Sequence, residues 1–394
     1  MTISTSSKPK NYRPLSIALV IVRYFDFGGL QNEMLRIAKA LIERGHTVEV
    51  ISSYWEGDVI DNLERHIVPI TAKINHKKIQ QLADIVKNRV KEKHFDCVLG
   101  FNKIPGLDFY FAGDVCLAEK IDKEKLAIVK LLPRYRFYLK FEQAVFGKDS
   151  NTHILLLAHG AVPTYQHYYH IQQNRLHLMP PGVAKDRFEM NFDRQEARKA
   201  LRKEWSLPQR AHVIIHVGSA FYRKGVDRII EAIASLPQQE KNNTWLFVIG
   251  NDEPKKFTAL AQKRGIKDQI VFTGPRNDVD AFYQGSDFLV HPAREECAGM
   301  IIVEALYCGL PVITTENTGF AWHVKNAEAG RIIDYPFSQK QLNQAVEEFV
   351  TLSPIQQKTL SENAKQYCLT EEVHNLPSAV ADTIETEMFS RSKT

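Results

Sequence analysis

The sequence predicts an α/β protein of two doubly wound, Rossmann-like domains, each a parallel sheet with helices between its strands. Short apolar runs alternate with amphipathic segments in both halves of the chain, as expected when helices cover both faces of a parallel sheet. The segment "MPPGV" (179–183) interrupts the alternation with two prolines and a glycine, which is typical of a linker. With 394 residues, the chain is long enough for two domains.

The first half opens with a strand, a helix and a second strand. We predict a strand over "IALVIVRYF" (17–25), a helix over "QNEMLRIAKALIERG" after the turn "DFGGL", and a strand over "TVEVISS". The short apolar runs "CVLGF" (97–101) and "HILLLA" (153–158) add two further strands. The polar residues 1–16 are predicted to be a disordered lead-in, so that the first domain spans 17–180.

The second half repeats the alternation over residues 181–365. Its predicted strands are "VIIHVGSA", "TWLFVIG", "IVFTG", "FLVHPA", "PVITT" and "RIID". Its predicted helices begin near Gly225, Lys255, Gly299 and Ser338. Doubly wound sheets bind ligands at the carboxyl ends of their strands, so we expect the active site in the cleft between the two domains.

Composition excludes several classes of protein. No apolar run approaches the ~18 residues of a membrane-spanning helix, and we expect no secretory leader. The cysteines are odd in number and scattered, at Cys97, Cys116, Cys297, Cys308 and Cys368. This spacing argues against a disulfide framework or a zinc site and favours a reducing cytosol.

Charge is distributed unevenly between the halves. Residues 1–180 carry 25 Lys and Arg against 18 Asp and Glu, whereas residues 181–394 carry 26 against 28. The basic first half would suit an anionic partner such as nucleic acid, a phosphorylated substrate or a membrane surface. A solvated basic surface with no partner is the alternative.

Two loops at predicted strand ends carry candidate anion-binding groups. Gly28 and Gly29 lie between a strand and a helix, where bare backbone N–H groups can approach an anion, although an ordinary tight turn would look the same. Arg223 and Lys224 follow a strand that ends at Gly218. Paired cations in this position suit a diphosphate, and a solvated basic turn is the alternative.

A third loop holds two carboxylates. In "REECAGMIIVEAL", Glu296 precedes a helix that begins near Gly299, and Glu304 lies on its second turn. Their spacing corresponds to roughly 10 Å at 1.5 Å rise per residue. Carboxylates accept hydrogen bonds from hydroxyl pairs, so two acids on either side of an anion-binding helix end suit a nucleotide sugar. Taken singly, each could be an ordinary helix acid.

The glutamate pair and seven further segments resemble a known family. The pair matches the E-x7-E motif of retaining GT-B glycosyltransferases of family 4, and the set, in order, resembles the lipopolysaccharide core glucosyltransferases I of the WaaG or RfaG type. The further segments are "YFDFGGLQ", "WEGD", "GFNKIPGLDFYFA", "MPPGV", "YRKGVDR" with "GPRNDV", and "HPAREECAG". Residues 1–16 and "AHGAVPTYQHYY" depart from the family pattern.

The resemblance implies a GT-B fold, a UDP-hexose donor (UDP-glucose first) and an inner-core heptose of lipopolysaccharide as acceptor. It implies that Glu304 holds the ribose and Glu296 the donor sugar, and that the helix from about residue 366 returns to the first domain. The remaining implied donor contacts are Arg223 and Lys224 on the diphosphate, Gly29 and Leu30 on the phosphate side, and Arg276 near the uracil.

The implied mechanism is front-face attack, in which the protein stabilises charge on the departing phosphate through Arg223, Lys224 and the helix end at Gly299. Asp114, and less plausibly Asp108, could orient or deprotonate the acceptor hydroxyl; a surface or helix-capping aspartate is the alternative. We expect no cofactor and no essential metal, because Asp278 in "NDVDAF" reads as a helix cap rather than as half of a metal motif.

Residues 116–147 are the candidate membrane contact. These residues include seven Lys and Arg side chains, with five Tyr and Phe side chains among them. This pattern suits binding to the anionic, cytoplasmic surface of a Gram-negative inner membrane. An amphipathic helix with core-facing aromatics is the alternative, and no recognition motif supports nucleic acid binding.

Two other functional classes stay open. A UDP-sugar epimerase of similar fold, or a transferase with another UDP-hexose, would share the donor site. A non-catalytic binding module would keep the basic segment without turnover.

Overall fold

A computed structural model describes residues 13–26, 28–123 and 132–391. The chain divides into two compact units. The first holds the chain up to Pro180 and again from Leu376 onward, and the second holds Pro181–Asn375. Each unit is built on a parallel sheet packed with helices, and the first unit also holds a separate pair of two-residue strands.

The described residues hold fifteen strands and sixteen α-helices. The strands are β1 (Ser16–Val20), β2 (Tyr24–Phe25), β3 (Thr47–Ser52), β4 (Trp55–Glu56), β5 (Leu63–Ile67), β6 (Cys97–Gly100), β7 (Phe109–Ala112), β8 (His153–Leu156), β9 (Leu176–Leu178), β10 (His212–Val217), β11 (Thr244–Ile249), β12 (Ile270–Gly274), β13 (Phe288–His291), β14 (Val312–Thr315) and β15 (Gly330–Ile333). The helices are α1 (Gly29–Glu43), α2 (Asn75–Glu92), α3 (Leu117–Lys123), α4 (Pro133–Phe146), α5 (Val162–Tyr169), α6 (Arg194–Glu204), α7 (Phe221–Lys224), α8 (Val226–Ala234), α9 (Gln238–Asn243), α10 (Lys255–Lys263), α11 (Val279–Gly285), α12 (Met300–Tyr307), α13 (Ala321–Asn326), α14 (Gln339–Val350), α15 (Pro354–Thr370) and α16 (Leu376–Arg391).

The first unit is built on a seven-stranded sheet in the order β5-β3-β1-β6-β7-β8-β9. The described pairings are parallel, and Val20 of β1 lies opposite both Ile51 of β3 and Gly100 of β6. Residues 17–20 are fully buried. Because successive strand residues point to opposite faces, this burial requires cover on both sides of the sheet, which explains the unbroken apolar run.

The second unit is built on a six-stranded parallel sheet in the order β12-β11-β10-β13-β14-β15. Strand β10 is central, with β11 on one side and β13 on the other. The order reverses direction between β10 and β13, so the loops that leave the carboxyl ends of these two neighbours emerge side by side.

The start of the chain differs from the prediction. Strand β1 already begins at Ser16 and ends at Val20, and Tyr24–Phe25 pair separately with Trp55–Glu56. Asp96 explains the early start, since its carboxylate accepts the Ser16 N–H at 2.8 Å and pairs with Arg13 at 2.6 Å. The predicted lead-in is therefore wrong for residues 13–16, and its remaining part, 1–12, lies outside the described residues.

The end of the chain also differs from the prediction. Helix α15 stays within the second unit, where the Tyr367 hydroxyl lies 2.7 Å from His323 Nδ1. The segment that belongs to the first unit starts at Leu376 and not near residue 366. Helix α16 packs on α1, and its Glu385 carboxylate lies 2.9 Å from His46 Nε2.

Helix α4 of the predicted membrane segment buries some of its side chains in the core and exposes others to solvent. Phe141 and Phe146 are buried in the core of the first unit, so for these two rings the membrane interpretation is wrong. Arg134, Arg136 and Lys140 are exposed on the same helix. Residues 124–131 of this segment lie outside the described residues, and within the described ones we find no helix with the length and apolar character needed to cross a membrane.

Candidate active site

The structure brings Arg223, Lys224 and Glu296 together in the second unit. Arg223 and Lys224 end the short helix α7 after β10, and Glu296 lies in the loop after β13. Two hydrogen bonds tie the loops to each other: Arg294 N–H donates to the Arg223 carbonyl at 2.8 Å, and the Arg223 guanidinium donates to the Glu295 carbonyl at 3.1 Å. Adjacent strands thus deliver cations and a carboxylate to one place.

Lys224 and Glu296 form a close ion pair. The Lys224 ammonium contacts the Glu296 carboxylate, and only 14% and 12% of the two side chains are exposed. Burial, followed by repulsion from Arg223, lowers the pKa of Lys224 from its ordinary value. The Glu296 carboxylate opposes this shift because it favours the charged ammonium. The two loops thus meet through this contact between oppositely charged groups.

Two buried histidines lie next to this ion pair. His216 of β10 and His291 of β13 stack with ring centroids 5.4 Å apart, and both are fully buried. His216 Nδ1 donates to the Val290 carbonyl at 3.0 Å, and burial lowers the pKa of His216 to about 4. His291 Nε2 lies 3.3 Å from Glu296 Oε2. Burial, with repulsion from Lys224, lowers the pKa of His291 as well, so both rings are neutral.

Arg294 fixes the geometry between the two loops. Its guanidinium makes two hydrogen bonds to Asp227, at 2.8 and 2.7 Å, and lies 3.9 Å from the Tyr222 ring centroid. Gly225 makes the close approach possible, since a Cβ there would lie 2.2 Å from the Pro292 carbonyl oxygen and its φ is +81°. A side chain at this position would push α8 away from the β13 loop.

Glu304 has a different environment from Glu296. The Tyr283 hydroxyl donates to Glu304 Oε2 at 2.9 Å, and burial, together with the nearby Glu304 charge, raises the pKa of Tyr283. Gly299 caps α12 with a φ of +87°, the left-handed conformation that favours glycine. The structure thus places Glu304 on α12 as predicted, with one carboxylate oxygen already accepting a hydroxyl hydrogen bond.

Arg276 lies at another strand end. It follows β12, and its guanidinium makes two hydrogen bonds to Asp278, at 2.7 and 2.5 Å, while lying 5.1 Å from the Phe282 ring centroid. Asp278 occupies the cap position of α11, but its side chain makes no capping hydrogen bond. Asp278 is thus the N-cap residue, as predicted, but its carboxylate engages Arg276, which lowers the pKa of Asp278, and does not cap the backbone of α11.

The predicted residues of the first unit lie near one another. Helix α1 begins at Gly29, with Gly28 as its cap, and a Cβ at Gly29 would meet no atom within 4 Å. Leu30 reaches the loop of the predicted acceptor residue, since its Cδ1 lies 3.1 Å from a Cβ built on Gly113. Asp114 is exposed beside it, and its carbonyl accepts the Tyr165 hydroxyl at 3.2 Å.

Glu142, and not an aspartate, caps helix α3 after the Asp114 loop. Its fully buried carboxylate accepts the Leu117 N–H at 3.0 Å and the Ala118 N–H at 3.2 Å, and it pairs with the Lys103 ammonium at 2.6 Å. Lys103 also donates to the Val115 carbonyl at 3.1 Å. The alternative of Asp114 as a helix cap is therefore excluded, and a buried network holds its loop.

Comparison with known proteins decides the family. Residues 197–367 match the model of the family described as "Glycosyl transferases group 1". The chain is 40% identical over 368 residues to the lipopolysaccharide glucosyltransferase WaaG of Escherichia coli (strain K12), covering 93% of this chain and 98% of that protein. The chain belongs to the WaaG family of glycosyltransferases. A crystal structure of a WaaG matches with a TM-score of 0.89, 40% identity, and coverage of 93% and 99% of the two chains.

The WaaG family assignment confirms the predicted enzyme class and the GT-B fold. A more distant structure of the same fold, Anabaena Alr3699/HepE in complex with UDP and glucose, matches with a TM-score of 0.69 and 16% identity over 94% of this chain and all of that one. Its similarity shows the fold alone.

The sequence did not reveal the two buried histidines or two of the ion pairs that hold the loops. His216 and His291 lie inside apolar runs, where the pattern predicts a strand and nothing more. The one available signal was that both runs place a histidine near the carboxyl end of the strand. The pairs of Arg294 with Asp227 and of Lys103 with Glu142 join residues far apart in sequence, and no local pattern reveals them.

Proposed function

We propose that this glycosyltransferase moves a hexose, with glucose as first choice, from its UDP donor to a heptose of the lipopolysaccharide inner core, with retention and an α linkage. The observation that carries the proposal is the contact of Lys224 with Glu296, beside Arg223, where β10 and β13 end. A transferase needs cations for a departing diphosphate and an acceptor for sugar hydroxyls at one place. This cluster offers both.

The relatives support the choice of substrates. The E. coli WaaG protein, which aligns over nearly the whole chain, is a lipopolysaccharide glucosyltransferase by name. The Anabaena structure, which holds UDP and glucose, supports a UDP-hexose donor at the level of the fold. We place the enzyme at the cytoplasmic face of the inner membrane, where its exposed basic helix α4 would meet anionic lipid.

In the proposed reaction, the bond between the anomeric carbon and the diphosphate oxygen breaks while the acceptor oxygen bonds from the same face. Arg223 and Lys224 stabilise charge on the leaving phosphate, and the amino end of α12 at Gly299 adds its dipole. Donor binding then requires Lys224 to exchange the Glu296 carboxylate for phosphate. The released Glu296 accepts hydroxyls of the sugar, while Glu304 accepts those of the ribose, and Arg276 approaches the base.

Asp114 is proposed to orient or deprotonate the acceptor hydroxyl. Positioned acid–base groups contribute about 100-fold or more to rate, so Asp114→Ala should lower kcat by about that factor and leave the donor KM within a factor of two to three. Steady-state UDP release measures both constants. The matched control is Asp84→Ala, which removes an exposed aspartate of α2. If Asp114→Ala turns over nearly as fast as the parent, Asp114 does not act on the acceptor hydroxyl.

The deciding experiment is a UDP-release assay with purified heptose-terminated core lipid as acceptor. UDP-glucose, UDP-galactose and UDP-N-acetylglucosamine are compared, in EDTA-treated buffer, and the lipid product is analysed by mass and by its anomeric proton coupling. The proposal expects glucosylated lipid with an α coupling from UDP-glucose. UDP release without glycosylated lipid would instead favour the epimerase alternative, and a lack of turnover would favour a binding module.

A further inference from the structure

A cluster of two histidines and a glutamate lies at the edge of the first unit's sheet. His153 is the first residue of β8, His177 lies in the edge strand β9, and Glu387 projects from α16. One nitrogen or oxygen atom from each lies within 4.8 Å of the others. The cluster is at the amino ends of the strands, whereas the candidate active-site loops of this unit follow the carboxyl ends.

The polar atoms of the cluster lie near the spacing that the ligands of one metal ion would have. His153 Nδ1 lies 2.9 Å from His177 Nε2, and Glu387 Oε1 lies 4.0 Å from the same His177 nitrogen. In a tetrahedral site with ligands at about 2.0–2.2 Å, neighbouring ligand atoms are roughly 3.3–3.5 Å apart. To reach that spacing, the two ring nitrogens would have to part slightly and Glu387, whose Oε2 lies 3.8 Å from His153 Nε2, would have to move towards both rings.

We propose that His153, His177 and Glu387 form a site for a divalent transition-metal ion of the zinc class, which ties helix α16 to the edge of the sheet. Two imidazoles and one carboxylate are a ligand set that such ions accept, with water completing the coordination. The three side chains are 13%, 18% and 26% exposed, so an ion can enter from solvent.

The backbone around the cluster holds the ligands in place. His153 N–H donates to the Asp108 carbonyl at 2.8 Å, and the Asp108 carboxylate pairs with Arg391 of α16 at 2.8 Å. Buried Arg175 donates to the Thr152 carbonyl at 3.0 Å, which joins β9 to β8 next to the histidines. Rigid supporting contacts of this kind favour metal binding because few groups have to be ordered.

The protonation states also fit. In the contact between the two rings, one nitrogen carries the proton and the other accepts it. On metal binding that proton moves to the other nitrogen of its own ring, so both rings present a lone pair and remain neutral. Burial lowers the pKa of both histidines, which favours the neutral forms at pH 7. Arg391 is the opposing cation nearby, and Asp108 pairs with it.

The test is metal titration of the full-length protein after treatment with EDTA and gel filtration. Zn²⁺ is titrated against a chromogenic chelator, and Co²⁺ is added separately because a tetrahedral Co²⁺ site shows intense visible d–d absorption. We expect one equivalent of metal per chain, the Co²⁺ spectrum, and a rise in the Tm with one equivalent of Zn²⁺. A parent protein that shows neither stoichiometric binding nor the Co²⁺ spectrum overturns the proposal.

Variants assign the site to these residues. Glu387→Gln keeps the shape of the side chain and should weaken Zn²⁺ binding by at least ~10-fold, since even loss of an outer partner of a metal ligand costs that much. His153→Ala with His177→Ala should abolish the Tm shift.

The matched control is His94→Ala with His167→Ala, which removes two exposed histidines of the same unit. The control should bind like the parent. If it loses binding as the site variants do, or if Glu387→Gln binds like the parent, the ion lies elsewhere and the proposal fails. Circular dichroism of each metal-free variant establishes that it is folded.

Discussion

At the scale of single residues, the two glutamates of the second unit differ in their neighbours. Glu296 contacts an ammonium and a neutral imidazole, whereas Glu304 accepts a hydrogen bond from a buried tyrosine hydroxyl. A carboxylate paired with a cation changes partner when an anionic substrate binds. A carboxylate that accepts a hydrogen bond from a neutral hydroxyl does not have to change partner in this way. The difference suits Glu296 to the reacting sugar and Glu304 to the passive ribose.

Exchange of each glutamate for alanine should therefore give different kinetics. Glu304→Ala should raise the donor KM by about 10-fold or more with kcat nearly kept, because a hydrogen bond to a charged group is worth about 1.5–3 kcal/mol. Glu296→Ala should chiefly lower kcat. Steady-state kinetics with varied UDP-hexose separates the constants, with Glu347→Ala of α14 as an exposed control. The reverse pattern would mean that the donor lies in the opposite direction.

The buried histidine of β10 predicts a dependence of stability on pH. The folded pKa of His216 is about 4, against about 6.5 for an unfolded histidine. The unfolded chain therefore binds more protons between these values, so the free energy of unfolding is highest above pH 6.5 and falls as the pH drops towards 4. The loss from this group is on the order of 3 kcal/mol.

Urea unfolding at a series of pH values measures this effect. His216→Gln retains a donor for the Val290 carbonyl but does not titrate, so its profile between pH 6.5 and 4 should be flatter than that of the parent. Other groups also titrate in this range, and the difference between the two profiles isolates the histidine. Parallel profiles would show that His216 does not titrate on unfolding.

At the scale of elements, Glu142 of α4 joins three parts of the first unit. Its carboxylate accepts from the amino end of α3, from Lys103 after β6 and from Tyr169 of α5. Burial disfavours the charged form of Lys103, but Glu142 outweighs it and raises the pKa of Lys103. Helix α5 comes from the segment that departs from the family pattern. That segment thus supports the loop of Asp114 through Tyr165 as well.

Breaking this network should destabilise the first unit strongly. Glu142→Gln leaves a buried ammonium without its counter-charge, which typically costs about 3–5 kcal/mol. The double variant Lys103→Met with Glu142→Gln removes both charges but keeps an acceptor for the Leu117 N–H and the Tyr169 hydroxyl, and it should recover a substantial part of that loss. Urea unfolding gives the free energies. If the single and double variants are equally destabilised, the charge pair is not the cause.

Most strands and several helix starts could be predicted from the sequence, and some other elements could not. The helices at Lys255, Met300 and Gln339 lie where the pattern places them, and so do the main strands of the second unit. The strand "FYFA" (β7) was not predicted, because four residues between polar turns show no period, and β9 has only three. The return of the final helix to the first unit was predicted from the family resemblance alone, and its start at Leu376 was not, because that assignment depends on contacts with residues more than 300 positions away.

The candidate site, too, could be predicted only in part from the sequence. Arg223, Lys224 and Glu296 could be predicted as neighbours because the loops of a parallel sheet gather at one edge. That Lys224 pairs with Glu296, and that two neutral histidines lie beside them, depends on strand order. Strand order is a property of the folded sheet that one sequence does not display.

At the scale of the whole molecule, the net positive charge lies in the first half, where residues 1–180 carry 25 Lys and Arg against 18 Asp and Glu. Helix α4 presents Arg134, Arg136 and Lys140 to solvent, with Leu132 exposed before its first turn, while its buried rings fix it to the core. The solvent-exposed face of α4 is therefore basic, and its opposite face is packed in the core. An anionic lipid surface would meet the basic face without any part of the core having to open.

Charge reversal tests this interpretation. The triple variant Arg134→Glu, Arg136→Glu and Lys140→Glu should bind phosphatidylglycerol vesicles about 100-fold more weakly than the parent. Each basic residue near an anionic surface contributes about 1 kcal/mol to the binding free energy. Co-sedimentation measures the binding, and added salt should weaken the parent in the same direction.

The same charge change elsewhere is the control. Glutamate at Lys77, Lys87 and Lys91, exposed on α2, alters the net charge equally and should have a much smaller effect. Equal effects of the two triple variants would assign the binding to overall charge and not to α4.

The hydrogen bonds between the β10 and β13 loops bear on the redesign of this enzyme. Arg294 of the β13 loop holds the backbone of Arg223 in α7 and the carboxylate of Asp227 in α8. The segments that follow β10 and β13 therefore have to be exchanged together. A graft that exchanges one loop alone, to change donor preference, would separate Arg294 from its partners. A successful graft has to carry both loops, with Gly225 between them.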